Sequence, residues 1–185
     1  GVLMLRGARR ADAAAVFEQT VSRIQEAAES IRAISRNLRP RVLDELGAAS
    51  AVQWFCRDFA QIYPAIEIVA DVKVDDANVP DRLATVVYRA LQELLNNVAK
   101  HARARRVLVR LSLDGKMLVL QVRDNGIGLE SASAESRRHG SGLRNLRERA
   151  QMTGGEFSVM RAPGRGTLAQ LNWPLDKAEE RSARG

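Results

Sequence analysis

Several things are scarce in these 185 residues, and each scarcity removes a class of protein. There is one cysteine, Cys56, so no disulfide can form within the chain and a disulfide-stapled secreted fold is excluded. A lone thiol suits a reducing compartment, and a cytoplasmic location is expected, with any membrane anchor in a longer parent protein. No apolar run is long enough to span a bilayer, and no secretory leader is visible. Aromatic residues make up 4%, so the core must be built from Leu, Val, Ile and Ala. The chain starts Gly1-Val2-Leu3-Met4-Leu5 without an initiator methionine and reads as part of something longer. Internal repeats are lacking. What is present is 45% hydrophobic residues, enough for one ordinary domain plus an appendage. Lys and Arg total 29 against 22 acids, a net charge of +7. Such a balance fits nucleic acid or a nucleotide site equally.

The first forty positions read as a long helix. Phe17, Val21, Ile24, Ala28, Ile31, Ser35 and Leu38 alternate spacings of four and three, a seam suited to helix–helix packing. Pro40 ends it. A stripe this wide calls for a partner helix, as in a dimeric bundle. A turn is expected over 44–47, then an amphipathic helix to about Ile62 with Val52, Phe55 and Phe59 inward. Ile66, Ile68, Ala70 and Val72 alternate with Glu67 and Asp71, which predicts a half-buried strand. Pro80 opens a helix over 81–102 whose buried stripe is Leu83, Val87, Leu91, Leu94 and Val98. Strands over 107–113 and 116–123 join at Asp114-Gly115 as a tight hairpin. Leu143, Leu146 and Ala150 mark another helix. A last hairpin pairs 157–161 with 167–173. The expected fold is α+β: a two-layer α/β sandwich with a mixed, mostly antiparallel sheet and helices on one face, preceded by the long N-terminal helix. The expected division is a helical appendage over 1–40, a domain over 41–175 and a charged tail over 176–185.

Four short motifs stand in order on this framework. Glu93 and Asn97 lie four apart on one predicted helix and so share a face with Asn96 and Lys100. A solvated polar face would look similar, but paired asparagines are poor helix formers. Asp124-Asn125-Gly126-Ile127-Gly128 follows a strand, and alone is ordinary turn chemistry. Gly140-Ser141-Gly142-Leu143 precedes a helix, where free backbone N–H groups can face an anion. The segment 130–139 before it reads as a short mobile lid. Gly164-Arg165-Gly166-Thr167 sits at a hairpin tip and mainly supports the fold.

As an ordered set these motifs resemble the nucleotide site shared by DNA gyrase, the large heat-shock chaperones, histidine kinases and MutL. The resemblance implies ATP and Mg2+ as cofactors. Asn97 would be the magnesium ligand, with Asn96 second, since an amide carbonyl adds no negative charge beside a triphosphate. Asp124 would accept a hydrogen bond from the adenine amino group, selecting adenine over guanine. Gly126 and Gly128 would bring backbone close to the base. Gly140, Ser141, Gly142 and Leu143 would form the phosphate loop, and Lys100 and His101 could reach phosphate oxygens. Thr167 completes the set of nucleotide-binding candidates, and Glu93 would sit near the γ-phosphate as the catalytic candidate.

From about Arg32 to Trp173 the chain looks most like a sensor histidine kinase of the nitrate-sensor type. Ile31 to Pro40 followed by Val42-Leu43-Asp44-Glu45-Leu46-Gly47 resembles the end of that branch's second dimerisation helix and its linker. Gln92-Glu93-Leu94-Leu95-Asn96-Asn97-Val98-Ala99-Lys100-His101-Ala102 ends in the Lys-His-Ala typical there. The implied partners are the dimerisation helices of a homodimeric parent and a response regulator with a LuxR-type DNA-binding domain. The family's phosphoacceptor histidine is missing. The only histidines, His101 and His139, fall in the ATP-binding part, and no His-Asp pair exists. The phosphoacceptor is expected upstream, in sequence outside this chain. Rival readings are an ATP-hydrolysing relative with Glu93 activating water, or a serine kinase of the anti-sigma type. A nucleic-acid-binding module is a third, disfavoured because Arg103, Arg105, Arg106, Arg137 and Arg138 lack interleaved aromatics.

Overall fold

A computed structural model describes residues 40–128 and 141–175, which lie in one compact unit beginning at Pro40. The N-terminal seam, the lid segment with Gly140, and the charged tail fall outside the described residues.

Two helices open the unit, α1 (Arg41–Leu46) and α2 (Ala48–Ile62), followed by strand β1 (Glu67–Lys73) and a 3-10 turn at Asp76–Asn78. Helix α3 (Asp81–Asn97) runs into a wider π turn, Val98–Ala102. Strands β2 (Arg106–Asp114) and β3 (Met117–Asp124) form a hairpin; then come α4 (Ser141–Met152), β4 (Glu156–Arg161) and β5 (Thr167–Pro174). The five strands lie in the order β1-β2-β3-β5-β4. Of these pairs β1–β2 is parallel and the other three are antiparallel. The parallel pair needs a crossover, and α3 supplies it.

Strand periodicity builds the inner layer. Val107, Val109 and Leu111 alternate on β2, and Leu120 and Val122 face them from β3. Leu118 pairs with Trp173 and Leu120 with Leu171 on β5. These side chains join the α3 stripe of Leu83, Val87, Leu91, Leu94 and Val98 in one buried cluster. Full burial of each such Leu or Val contributes about 1.5–3 kcal/mol. The opposite sheet face is polar. Gln121 Nε2 donates to Gln170 Oε1 at 2.7 Å, and Arg110 Nε donates to Asp71 at 2.7 Å. That guanidinium bond holds the Asp71 carboxyl below its usual range. Cys56 is 2% exposed on α2, where burial pushes its thiol up to about 12. Among the described residues no helix is long and apolar enough to cross a membrane.

Three local expectations are corrected. Residues 44–46 are not a turn but the end of α1, anchored by buried Leu43; only Gly47 breaks the chain, at φ 81°. The alternation expected in β1 is absent, with Ala70 exposed and Asp71 half-buried. As an edge strand, β1 has neither face fully covered. The helix over 81–102 is α-helical only to Asn97, after which the ladder widens and Arg103 takes φ 50°.

The start of α2 also holds a contact with no sequence signature. Gly47 offers no capping side chain, and Asp76 fills the role from a distance. Its Oδ1 accepts from Ala49 N at 2.6 Å and Ser50 N at 3.2 Å, while Ser50 Oγ donates to Oδ2 at 2.6 Å. A carboxylate here satisfies orphan N–H groups and complements the helix dipole. Asp76→Ala is expected to lower unfolding free energy by roughly 1–3 kcal/mol in urea titration. A loss under about 0.3 kcal/mol would mean that Asp76 does not stabilise the helix.

Candidate nucleotide-binding site

The motif residues gather where the end of α3, the start of α4, the end of β3 and the tip of the β4–β5 hairpin meet. Asp124 closes β3 opposite Val107 and is 5% exposed, the one buried charged residue among those described. Its Oδ1 accepts from Gly126 N at 2.7 Å, an Asx turn. The second carboxylate oxygen, Oδ2, is the one able to accept from a ligand. Asn125 turns toward the protein instead, where its Oδ1 accepts from Arg105 N at 2.9 Å and Arg106 N at 3.0 Å. It ties the loop to the start of β2.

The π turn supports this loop from below. Ile127 N donates to Ala102 O at 2.9 Å. A methyl group on Gly126 would collide with that same carbonyl. Backbone packing at this point requires a glycine. Gly128 has φ 79° and packs against the Gly166 carbonyl, while a methyl on Gly166 would strike the Asp124 carbonyl. The tip of the β4–β5 hairpin thus clasps the loop from the other side, and Arg165 Nε donates to Gly126 O at 3.1 Å. Thr167 opens β5 one residue before Leu168, the partner of Arg123, which places it beside Asp124.

Glu93, Asn96 and Asn97 are each half-buried on α3, opposite the apolar stripe. The Nδ2 atom of Asn97 is buried without a hydrogen-bond partner among the described residues, so this amide is not fully engaged by protein. Lys100 and His101 lie on the π turn and are exposed. Gly142 does not precede its helix as expected: α4 begins at Ser141, and Gly142 sits in its first turn. A methyl there would collide with Glu93 Oε1, so the glycine lets that carboxylate reach the helix N-terminus. Leu143 is half-buried and packs against the core. Contacts therefore run in sequence from the Asp124 loop through the π turn to Asn97 and Glu93, and on to the first turn of α4. Among the described residues no three His, Cys, Asp or Glu cluster as a metal cage. A metal at Asn97 would take most of its ligands from phosphate and water, which is magnesium's habit. Ala102, Asn125 and Arg165 were not site candidates by sequence, because each acts on neighbouring backbone, a partner that no motif spacing reveals.

A mostly antiparallel sheet with a crossover helix carrying Glu93 and Asn97, and a glycine-bound Asp at a strand end, defines an ATPase-type domain. The chain belongs to the family of histidine kinase-, DNA gyrase B-, and HSP90-like ATPases, whose match covers residues 83–177. The match runs from α3 to just past β5 and contains every described motif. Among individual proteins, the sensor histidine kinase MctS of Rhizobium johnstonii is 37% identical over 179 residues, covering 91% of this chain. The chain spans 38% of that relative's length. The histidine kinase domain of the blue-light activated histidine kinase from Erythrobacter litoralis superposes with a TM-score of 0.59 at 24% identity, over 77% of this chain and 71% of that one. The mycobacterial sensor histidine kinase MprB gives 0.50 at 21% identity, over 67% and 91%. These two likenesses establish the fold.

Proposed function

We propose that the chain is the ATP-binding catalytic domain of a two-component sensor histidine kinase. It would hold ATP while the γ-phosphoryl group passes to a histidine of the parent protein, and from there to an aspartate of a response regulator. The observation that carries this reading is the half-engaged Asp124 carboxylate: Oδ1 fixes the loop and Oδ2 can receive the adenine amino group. The MctS relative and the Lys100-His101-Ala102 ending support the kinase branch, with a homodimeric parent and a LuxR-type regulator as its partners.

With the base on Asp124, the triphosphate would run along the end of α3 toward the first turn of α4. Helix N-terminal N–H groups and the exposed Lys100 would stabilise its charge. Phosphoryl transfer asks mainly for positioning and charge neutralisation, since little covalent work falls to the protein. Magnesium would supply positive charge that offsets the charge of the phosphates. Asn97 would hold it through its side-chain carbonyl, and Glu93, beside α4, would stand near the γ-phosphate.

Asn97→Ala is expected to weaken magnesium-dependent ATP binding about tenfold or more, with little change in melting temperature, because the amide is half-buried and not fully engaged. Calorimetry with and without magnesium measures it. If Asn96→Ala is damaging and Asn97→Ala silent, the ligand assignment is off by one residue.

A further inference from the structure

We propose that Arg165 is a positioning residue for base selection, acting through the loop that carries Asp124. The inference rests on the reading of Asp124 as the adenine acceptor and extends it to the β4–β5 tip. Gly126 is gripped at both ends: its N–H donates to Asp124 Oδ1 at 2.7 Å, and its carbonyl accepts from Arg165 Nε at 3.1 Å. The peptide unit between Gly126 and Ile127 is likewise held on both edges, by Arg165 on the carbonyl side and by Ala102 O on the N–H side at 2.9 Å. Without Arg165 that unit keeps one restraint and can tilt. The Gly126 N–H that fixes the Asp124 rotamer tilts with it, and Oδ2 loses its aim.

The tip is built to hold Arg165 in place. Gly164 and Gly166 flank it at φ 89° and 95°, and Ala162 N donates to Gly166 O at 3.0 Å to close the turn. Gly166 lies so close to the Asp124 carbonyl that no side chain fits between them. A second arginine, Arg123, donates to Pro163 O at 2.7 Å and pins the tip to β3. Arg165 itself is exposed, so it contributes little to the core, and its removal should leave folding intact.

The test uses the full chain with magnesium and competition of ATP and GTP against a fluorescent ATP analogue. Wild type should prefer ATP. Arg165→Ala should lower ATP affinity about fivefold, the equivalent of one net hydrogen bond, and narrow the ATP-to-GTP ratio by a similar factor. Arg165→Lys, which keeps a donor and the charge, should recover most of the loss. Arg165→Met keeps the stem without a donor and should behave as Ala; it decides the matter if Ala lowers the melting temperature. ATP and GTP weakened equally would assign Arg165 to phosphate attraction and overturn the proposal, as would unchanged ATP affinity. A wild-type chain that does not discriminate between the bases overturns the Asp124 reading itself, and the proposal falls with it.

Discussion

Asp124→Asn is expected to cost the chain its ATP while leaving its turn in place. The amide oxygen of Asn can still accept from Gly126 N, as Asp124 Oδ1 does at 2.7 Å. The other position changes from acceptor to NH2 donor and then faces the adenine amino group, so two donors meet. Loss of a charge-assisted bond in a 5% exposed site weakens ATP by roughly 10- to 100-fold, about 1.5–3 kcal/mol. GTP should be spared or bind better, because guanine presents a carbonyl oxygen to the new donor. Calorimetry with both nucleotides measures the crossover, and an unchanged ATP-to-GTP ratio would sink the assignment.

The second large effect is all-or-none. Incubated with labelled ATP and magnesium, the chain should bind nucleotide and incorporate no acid-labile phosphate. Its two histidines are His101 and His139. His101 stands on the π turn that braces the Asp124 loop. A longer version of the protein that carries an upstream phosphoacceptor helix should be phosphorylated in trans, with low efficiency because nothing holds the two together at high effective concentration. Acid-labile phosphate on the chain alone would refute this and give His101 or His139 a catalytic part.

Helix α3 was legible because Leu83, Val87, Leu91 and Leu94 repeat at helical spacing within its seventeen residues, a pattern no strand can share. The β2–β3 hairpin was legible from Asp114-Gly115, and the register places Asp114 opposite Met117. Helix α1 was not, since six residues followed by Gly47 carry too little periodicity, and burial of Leu43 holds it. The Asp76 cap reaches back 26 residues to Ser50, beyond any local signal. At the site, the glycine positions could be read from the chain but the close backbone contacts behind them could not: an added side chain at Gly126 would meet the Ala102 carbonyl, and one at Gly166 the Asp124 carbonyl. The π turn had no marker at all, because the change from an α to a π ladder follows from what packs against it.

The burial of Cys56 has a practical side. The thiol is 2% exposed, and burial disfavours the thiolate that would attack a thiol reagent. A cysteine placed by design on an exposed position would then be the single reactive thiol in the chain. A fluorophore could be hung on the β4–β5 tip without first removing the native sulfur, so that nucleotide arriving at the neighbouring loop is followed as a change in light.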